Sequence, residues 1–258
     1  MTASEPRDHA DVVIAEPPHP TQPEHRPATP NSLPLGDGTP PFTTVLWDLD
    51  GTISDSAAGI VAAMRATFDT FRMPIPDDET LLSYVGPPII DSFREQGLND
   101  AIELTHALDT YREIYEEHGL LQSPAYPGVG EIIAELHRRG VRQSTATSKP
   151  ETAATRVLEH YGLSQYFDFI TGASADESRS AKADVVAEAL QRLRSIDADL
   201  SRTIMIGDRH YDVTGSAHNG VPAIYVTWGY GRVGEDAGAV AVATTPEELR
   251  ELLGLTAS

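Results

Sequence analysis

The sequence predicts an α/β protein: a Rossmann-like, doubly wound parallel sheet with an α-helical cap domain inserted near its start. Three observations carry that prediction. Short apolar runs bounded by Gly, Asp or Ser recur at 42–47, 141–146, 167–171, 203–206 and 223–227, with a weaker sixth at 239–243. Buried parallel strands have this texture. Helical patterns flank the later runs, as in βαβ units. The first two runs stand roughly 95 residues apart, far beyond what a single crossover needs.

Residues 1–41 hold 10 of the 19 prolines and no aromatic residue. Such a segment buries too little apolar surface to offset its ordering entropy, so a disordered tail is expected there. The α/β core is expected over 42–54 and 126–258. Within it, a helix over 129–139 enters at Gly128 and stops at Gly140, and one over 151–161 stops at Gly162. Further helices are expected over 182–193 and 212–219. The stretch between, 55–125, carries stripes at helical spacing: Ile60, Met64, Phe68 and Phe71, then Leu104, Leu108, Tyr111 and Tyr115. Those faces need a partner, so 55–125 is expected to fold on itself as a helical domain. An insertion at the carboxyl end of the first strand lies over the crevice where open α/β sheets bind ligands.

Composition narrows the function. The 258 residues carry 19 basic and 39 acidic side chains, a formal charge of −20, and no cysteine. Disulfides, thiol catalysis and Cys-ligated zinc are excluded. The charge argues against sequence-independent nucleic-acid binding, which depends on Lys and Arg neutralising phosphates. No apolar run is long enough to span a membrane and no secretory signal is visible, so a soluble, cytoplasmic protein is expected. Of the basic residues 17 are Arg and only two are Lys, Lys149 and Lys182. Where Arg fills nearly every basic position, a retained Lys marks a place whose geometry or hydration Arg does not match.

Chemistry concentrates at the ends of the expected strands. After the first stands Asp48-Leu49-Asp50-Gly51-Thr52. Asp48 would project into the crevice, Asp50 would face the same site, and Gly51 would let the backbone approach a ligand and offer an N–H. After the 203–206 run comes Gly207-Asp208-Arg209-His210-Tyr211-Asp212. This string alone is weak, but its place puts Asp208 at the same edge as Asp48. Asp212 also reads as an ordinary acid at a helix start. The second strand ends in Ser144-Thr145-Ala146-Thr147-Ser148-Lys149-Pro150, where a hydroxyl and the free N–H groups ahead of a helix suit an oxyanion as well as they suit a plain N-cap. Lys182 opens a later helix and is expected to reach the crevice; Lys149 reads equally well as a surface residue. Four carboxylates in one crevice repel by about 4 kcal/mol per pair at ~4 Å and an effective dielectric near 20. A cation or bound protons must relieve that, and hard oxygen donors without His or Cys point to Mg²⁺. Mg²⁺ beside a Lys makes a receptor for a phosphoryl group.

In this order the motifs resemble the haloacid dehalogenase superfamily of phosphatases, over 42 to about 255. Gly86-Pro87-Pro88 with Ser92-Phe93, Arg179-Ser180-Ala181-Lys182 and Trp228-Gly229-Tyr230-Gly231 are similar to members called phosphoglycolate phosphatases or 5′-nucleotidases, with a helical cap. The resemblance implies Asp48 as nucleophile and Asp50 as general acid/base. Gly51, Thr147, Ser148 and Lys182 would hold the phosphoryl group of a small phosphorylated substrate. Mg²⁺ would be bound by Asp48, Asp208 and the backbone carbonyl of Asp50, with Asp212 supporting the metal shell or Lys182. Two other readings stay open: a phosphomutase on the same core, and a non-catalytic phosphate-sensing relic.

Overall fold

The computed structural model describes residues 41–255. The proline-rich tail expected over 1–41 lies outside the described residues except for its last position. In chain order the elements are β1 (Thr44–Trp47), α1 (Ala57–Thr70), α2 (Asp78–Ser83), α3 (Ile89–Glu95), α4 (Ala101–His118), α5 (Val129–Arg138), β2 (Arg142–Thr145), α6 (Glu151–His160), α7 (Lys182–Arg194), β3 (Thr203–Gly207), α8 (His210–His218), β4 (Ala223–Val226), β5 (Ala241–Ala243) and α9 (Pro246–Leu252). The five strands form one sheet in the order β2-β1-β3-β4-β5, with every pair parallel.

Alternation along each strand sends side chains to both faces of the sheet, which is why the strands read as continuous apolar runs. Val45, Trp47, Ile204, Ile206, Ile224 and Val226 join one cluster with Ile132, Ile133 and Leu136 of α5 and Leu249 of α9. Leu46, Met205 and Tyr225, between them in sequence, pack on the other side with Val185, Val186 and Leu190 of α7 and Val213 of α8. Each such side chain contributes roughly 1.5–3 kcal/mol on burial.

Two expectations need correction. The run at 167–171 is no regular strand; it follows the outer edge of β2 through a single bridge, Ser144 to Phe169. A side chain takes over part of the ladder, since the Gln143 N–H donates to the Asp168 carboxylate (2.9 Å), and the Thr145 hydroxyl adds a bond to the Thr171 carbonyl (2.8 Å). The weaker run at 239–243 does supply a strand, β5. In addition, α8 starts at His210 rather than at Asp212, because Arg209 is its N-cap and the Asp212 carboxylate accepts from the Arg209 N–H at 3.0 Å.

The long β1–β2 connection contains α1 to α4. Ile60, Met64 and Phe68 of α1 face Leu104, Tyr111 and Tyr115 of α4, and their cluster runs on into the sheet core. The contact is close because Gly59 meets Gly119; a Cβ on Gly59 would stand 3.0 Å from the Gly119 Cα. Phe93 of α3 fills the space between, edge-on to Phe68 at 5.6 Å and to Tyr111 at 6.1 Å. Asp100 caps α4 by accepting from Ile102 N and Glu103 N.

Candidate active site

Parallel strands place all their carboxyl ends on one edge, and the candidate residues follow from that register. Trp47, Thr145 and Ile206 lie abreast. Asp48 continues β1 with its N–H on the Ile206 carbonyl at 2.9 Å, and Asp208 follows the end of β3. Asp48, Asp208 and Asp212 are all buried, each with a carboxylate oxygen within 4.8 Å of the others. Lys182, at the start of α7, bridges Asp48 and Asp212. Its Nζ lies 2.8 Å from Asp48 Oδ1, 2.8 Å from Asp212 Oδ1 and 2.9 Å from the Ala146 carbonyl at the end of β2.

Asp208 is fixed from two sides: Oδ1 accepts from the Thr52 hydroxyl (3.0 Å) and Oδ2 from the Tyr230 N–H (2.8 Å). The approach is tight enough to explain two glycines. Gly51 has φ +88°, and a Cβ there would run into the Asp208 carboxylate; a Cβ on Gly229 would meet the same group. The Gly51 N–H is bonded to the Ser54 carbonyl at 2.8 Å. In this structure the N–H that the sequence offers to a ligand is thus engaged by Ser54, and the glycine makes room for Asp208.

Asp50 stands apart from the three-carboxylate cluster. Both its oxygens take hydrogen bonds from Lys149 Nζ at 2.9 Å, and Lys149 also reaches the Tyr115 hydroxyl of α4 at 3.1 Å. Both lysines are thus buried and ion-paired, and Lys149 is no surface residue. Thr147 and Ser148 are buried between Ala146 and Lys149 in sequence; the Thr147 hydroxyl accepts from the Lys149 N–H at 3.2 Å.

The charges decide what this site can hold. With every group ionised, Asp48, Asp50, Asp208 and Asp212 bring four negative charges and Lys149 and Lys182 two positive ones, leaving −2. Burial pushes the Asp48 carboxyl up to about 6 against the pull of Lys182, with Asp212 adding to the rise. Burial, then Asp212 and Asp48, holds Asp208 well above the usual carboxylate range. Burial disfavours the Lys182 ammonium, but Asp212 and Asp48 outweigh it and the net shift is upward. A divalent cation would restore neutrality, and an all-oxygen donor set fits Mg²⁺. The residues present fit the ion.

Sequence reading missed Arg209. It lies between the two acids of its motif, buried, with its guanidinium on the Ser83 carbonyl (3.3 Å), on the Val85 carbonyl and on Glu235 (2.9 Å). It ties the Asp208 loop to the inserted helices beside Gly86. Its position at x in a G-D-x-x-x-D string gave no signal.

The sequence profile of the haloacid dehalogenase-like hydrolases matches residues 45–226, a span that includes Asp48, Asp50, Lys149, Lys182, Asp208 and Asp212. The chain belongs to this family. Among relatives of this haloacid dehalogenase-like hydrolase, "Tyrosine-protein kinase PtkA" of Mycobacterium tuberculosis is 40% identical over 215 residues, covering 82% of this chain and 72% of that one. The solved structure of PtkA superposes with a TM-score of 0.70, covering 83% of this chain and 98% of that one. A 5′-nucleotidase of Pseudomonas aeruginosa is 30% identical over 190 residues, covering 74% and 85%. A crystal structure described as a predicted phosphatase from Clostridium acetobutylicum gives a TM-score of 0.75 at 37% identity, covering 81% and 97%. The Rossmann-like core and the enzyme class expected from the motifs, a phosphoric monoester hydrolase, are borne out at that level. No described helix is long and apolar enough to cross a membrane.

Proposed function

We propose that this haloacid dehalogenase-like hydrolase is a Mg²⁺-dependent phosphomonoesterase that acts on a small phosphorylated metabolite through an aspartyl-phosphate on Asp48. The observation that carries the reading is the Asp48 carboxylate, buried at a strand end, oriented by Lys182 and grouped with two further carboxylates. Asp48 and Asp208 are the side chains that would hold the ion, with the Asp50 carbonyl as a further donor and Asp212, bonded to Lys182 and to the Arg209 N–H, supporting the shell. Bound there, Mg²⁺ supplies positive charge to the phosphoryl oxygens and offsets the repulsion between the nucleophile and its anionic substrate.

The protein's own groups carry the steps. An Asp48 oxygen attacks phosphorus as the P–O bond to the leaving group breaks, and protonated Asp50 gives its proton to the departing oxygen of the leaving group. Water then attacks the phosphorus of the aspartyl-phosphate, Asp50 takes the proton back, and Asp48 and free phosphate are released. Lys182, Thr147 and Ser148 stabilise charge on the transferring oxygens. Residues 55–125 serve as a cap that excludes bulk water and meets the leaving group. Lys149 positions Asp50. For Lys149→Met we expect kcat to fall by ~10²-fold with a smaller change in KM, as a misplaced acid/base dictates. A drop in KM-dependent binding alone, with kcat intact, would count against that role.

Two measurements test the reading. Release of nitrophenol from p-nitrophenyl phosphate is expected with Mg²⁺ and abolished by EDTA; activity indifferent to EDTA rules out the metal. Mg²⁺ is also expected to raise the melting temperature of the wild-type chain, and the rise is expected to vanish in Asp208→Asn. The similarity to a protein named a tyrosine-protein kinase favours one second reading, phosphoryl transfer to a hydroxyl acceptor rather than to water. Incubation with γ-labelled ATP separates the two: label stable on tyrosine supports transfer, whereas free phosphate supports hydrolysis.

A further inference from the structure

A cavity of about 390 Å³ lies between the inserted helices and the sheet edge, within the size range of small-molecule sites. Asp50 and Lys149 line it, so it opens on the acid/base and receives the leaving group if the proposed function holds. Asp48 is not among its lining residues, which puts the bulk of the space beyond the phosphoryl site.

Two features of the wall bear on what fits. The first is its aromatic and aliphatic surface. Tyr111 and Tyr115 line it with their ring planes 10° apart and centroids 5.8 Å apart, and Tyr84, Ile60, Ile89 and Pro87 add apolar surface. A flat ring gains from such a wall through burial and offset stacking. A two-carbon acid would leave most of the space to water, of which it holds roughly a dozen molecules at ~30 Å³ each.

The second is the state of the cations. The lining cations are Lys149, Arg112 and Arg179; the lining acids are Asp50, Glu116, Glu151 and Glu177. Each cation already has a carboxylate partner: Lys149 has Asp50, Arg112 has Glu177, and Arg179 has Glu151 at 3.4 Å and the Gly172 carbonyl at 3.2 Å. Glu177 is held to its task by local structure. It has φ +59°, a costly conformation for a residue with a side chain, in a turn where the Ser174 and Ser178 hydroxyls bond Asp176 at 2.6 and 2.8 Å. A second anionic group on a substrate would therefore find no cation to spare among the lining residues, whereas Ser148 and Thr152 remain to hydrogen-bond neutral hydroxyls or ring edges.

From the aromatic wall and the fully paired cations of this cavity, we infer that it selects phosphomonoesters with an uncharged, ring-bearing leaving group, of the nucleoside 5′-monophosphate class, over those ending in a carboxylate or a second phosphate. The inference rests on the phosphatase reading and deepens it.

The test is a ranking by kcat/KM, with Mg²⁺ and the full chain, of uridine and adenosine 5′-monophosphates, phosphoglycolate and inorganic pyrophosphate, alongside p-nitrophenyl phosphate. Mononucleotides are expected to lead phosphoglycolate and pyrophosphate by at least about tenfold. An equal or reversed ranking overturns the inference and leaves the phosphatase reading standing; no turnover of any ester, p-nitrophenyl phosphate included, overturns the phosphatase reading itself. Glu177→Gln, which releases Arg112, is expected to shift the mononucleotide-to-phosphoglycolate ratio toward phosphoglycolate by at least about fivefold. An unchanged ratio in a folded Glu177→Gln protein refutes the charge argument. Should that variant fail to fold, Tyr111→Leu is expected to raise KM for mononucleotides more than it lowers kcat, with Tyr111→Phe restoring it; equal KM in both variants refutes the ring site.

Discussion

Asp48→Asn is expected to lower turnover by at least on the order of 10³-fold, because an amide cannot attack phosphorus as a carboxylate does. The same substitution is expected to raise the melting temperature of the metal-free protein. Burial pushes the Asp48 carboxyl to about 6, above its ordinary value of 3.8, so folding opposes its ionised form. At neutral pH the group is ionised nonetheless, and the neutral isostere removes that cost while its oxygen can still accept from Lys182. Loss of activity together with a gain in metal-free stability is the signature of a charged nucleophile held in place at the expense of the fold. Near-normal hydrolysis by Asp48→Asn would sink the nucleophile assignment. A large fall in metal-free stability would contradict the electrostatic account of the site.

Lys182→Met is expected to have the largest effect on stability. Lys182 is 6% exposed and its ammonium lies 2.8 Å from both Asp48 and Asp212. Its removal leaves three neighbouring buried carboxylates with no cation among them, and breaking a buried pair from one side costs about 3–5 kcal/mol. The melting temperature of the metal-free protein should drop by roughly 10 °C or more. Mg²⁺ is expected to recover part of the loss, and Asp212→Asn on the Lys182→Met background to recover another part, since each lowers the unbalanced charge. Lys182→Arg is not expected to substitute, because a planar guanidinium does not offer the compact ammonium that fits between two carboxylates and the Ala146 carbonyl. Thermal melts of the single and double variants, with and without Mg²⁺, decide the matter. A Lys182→Met protein that melts within a degree or two of wild type would remove Lys182 as the electrostatic keystone of the cluster.

The parallel sheet was legible because its strands are buried on both faces, and double burial leaves an unbroken apolar run in the sequence. The exception at 167–171 shows the limit of that signal. Those residues lie against β2 and share backbone bonds with it, but the Gln143 N–H goes to the Asp168 side chain where a strand would offer a carbonyl. Hydrophobicity does not record which group makes the hydrogen bond. Arg209 was illegible for a related reason: its partners Ser83 and Val85 are carbonyls more than 120 residues away in sequence, and a carbonyl carries no residue identity.

The sequence by itself determined the strand-end placement of Asp48 and Asp208, the acidic character that calls for a cation, and the oddity of two lysines in an arginine-rich chain. Only the tertiary structure decided how those lysines divide the work. Lys182 serves the three-carboxylate cluster and Lys149 serves Asp50, with Tyr115 linking it to the inserted helices. It also decided that the Gly51 N–H bonds the Ser54 carbonyl. Local patterns fix which chemical groups reach an edge, because strand and helix periods are local. Which charge ends up opposite which depends on crossovers and on packing across 99 and 134 residues of chain, and no local period encodes that.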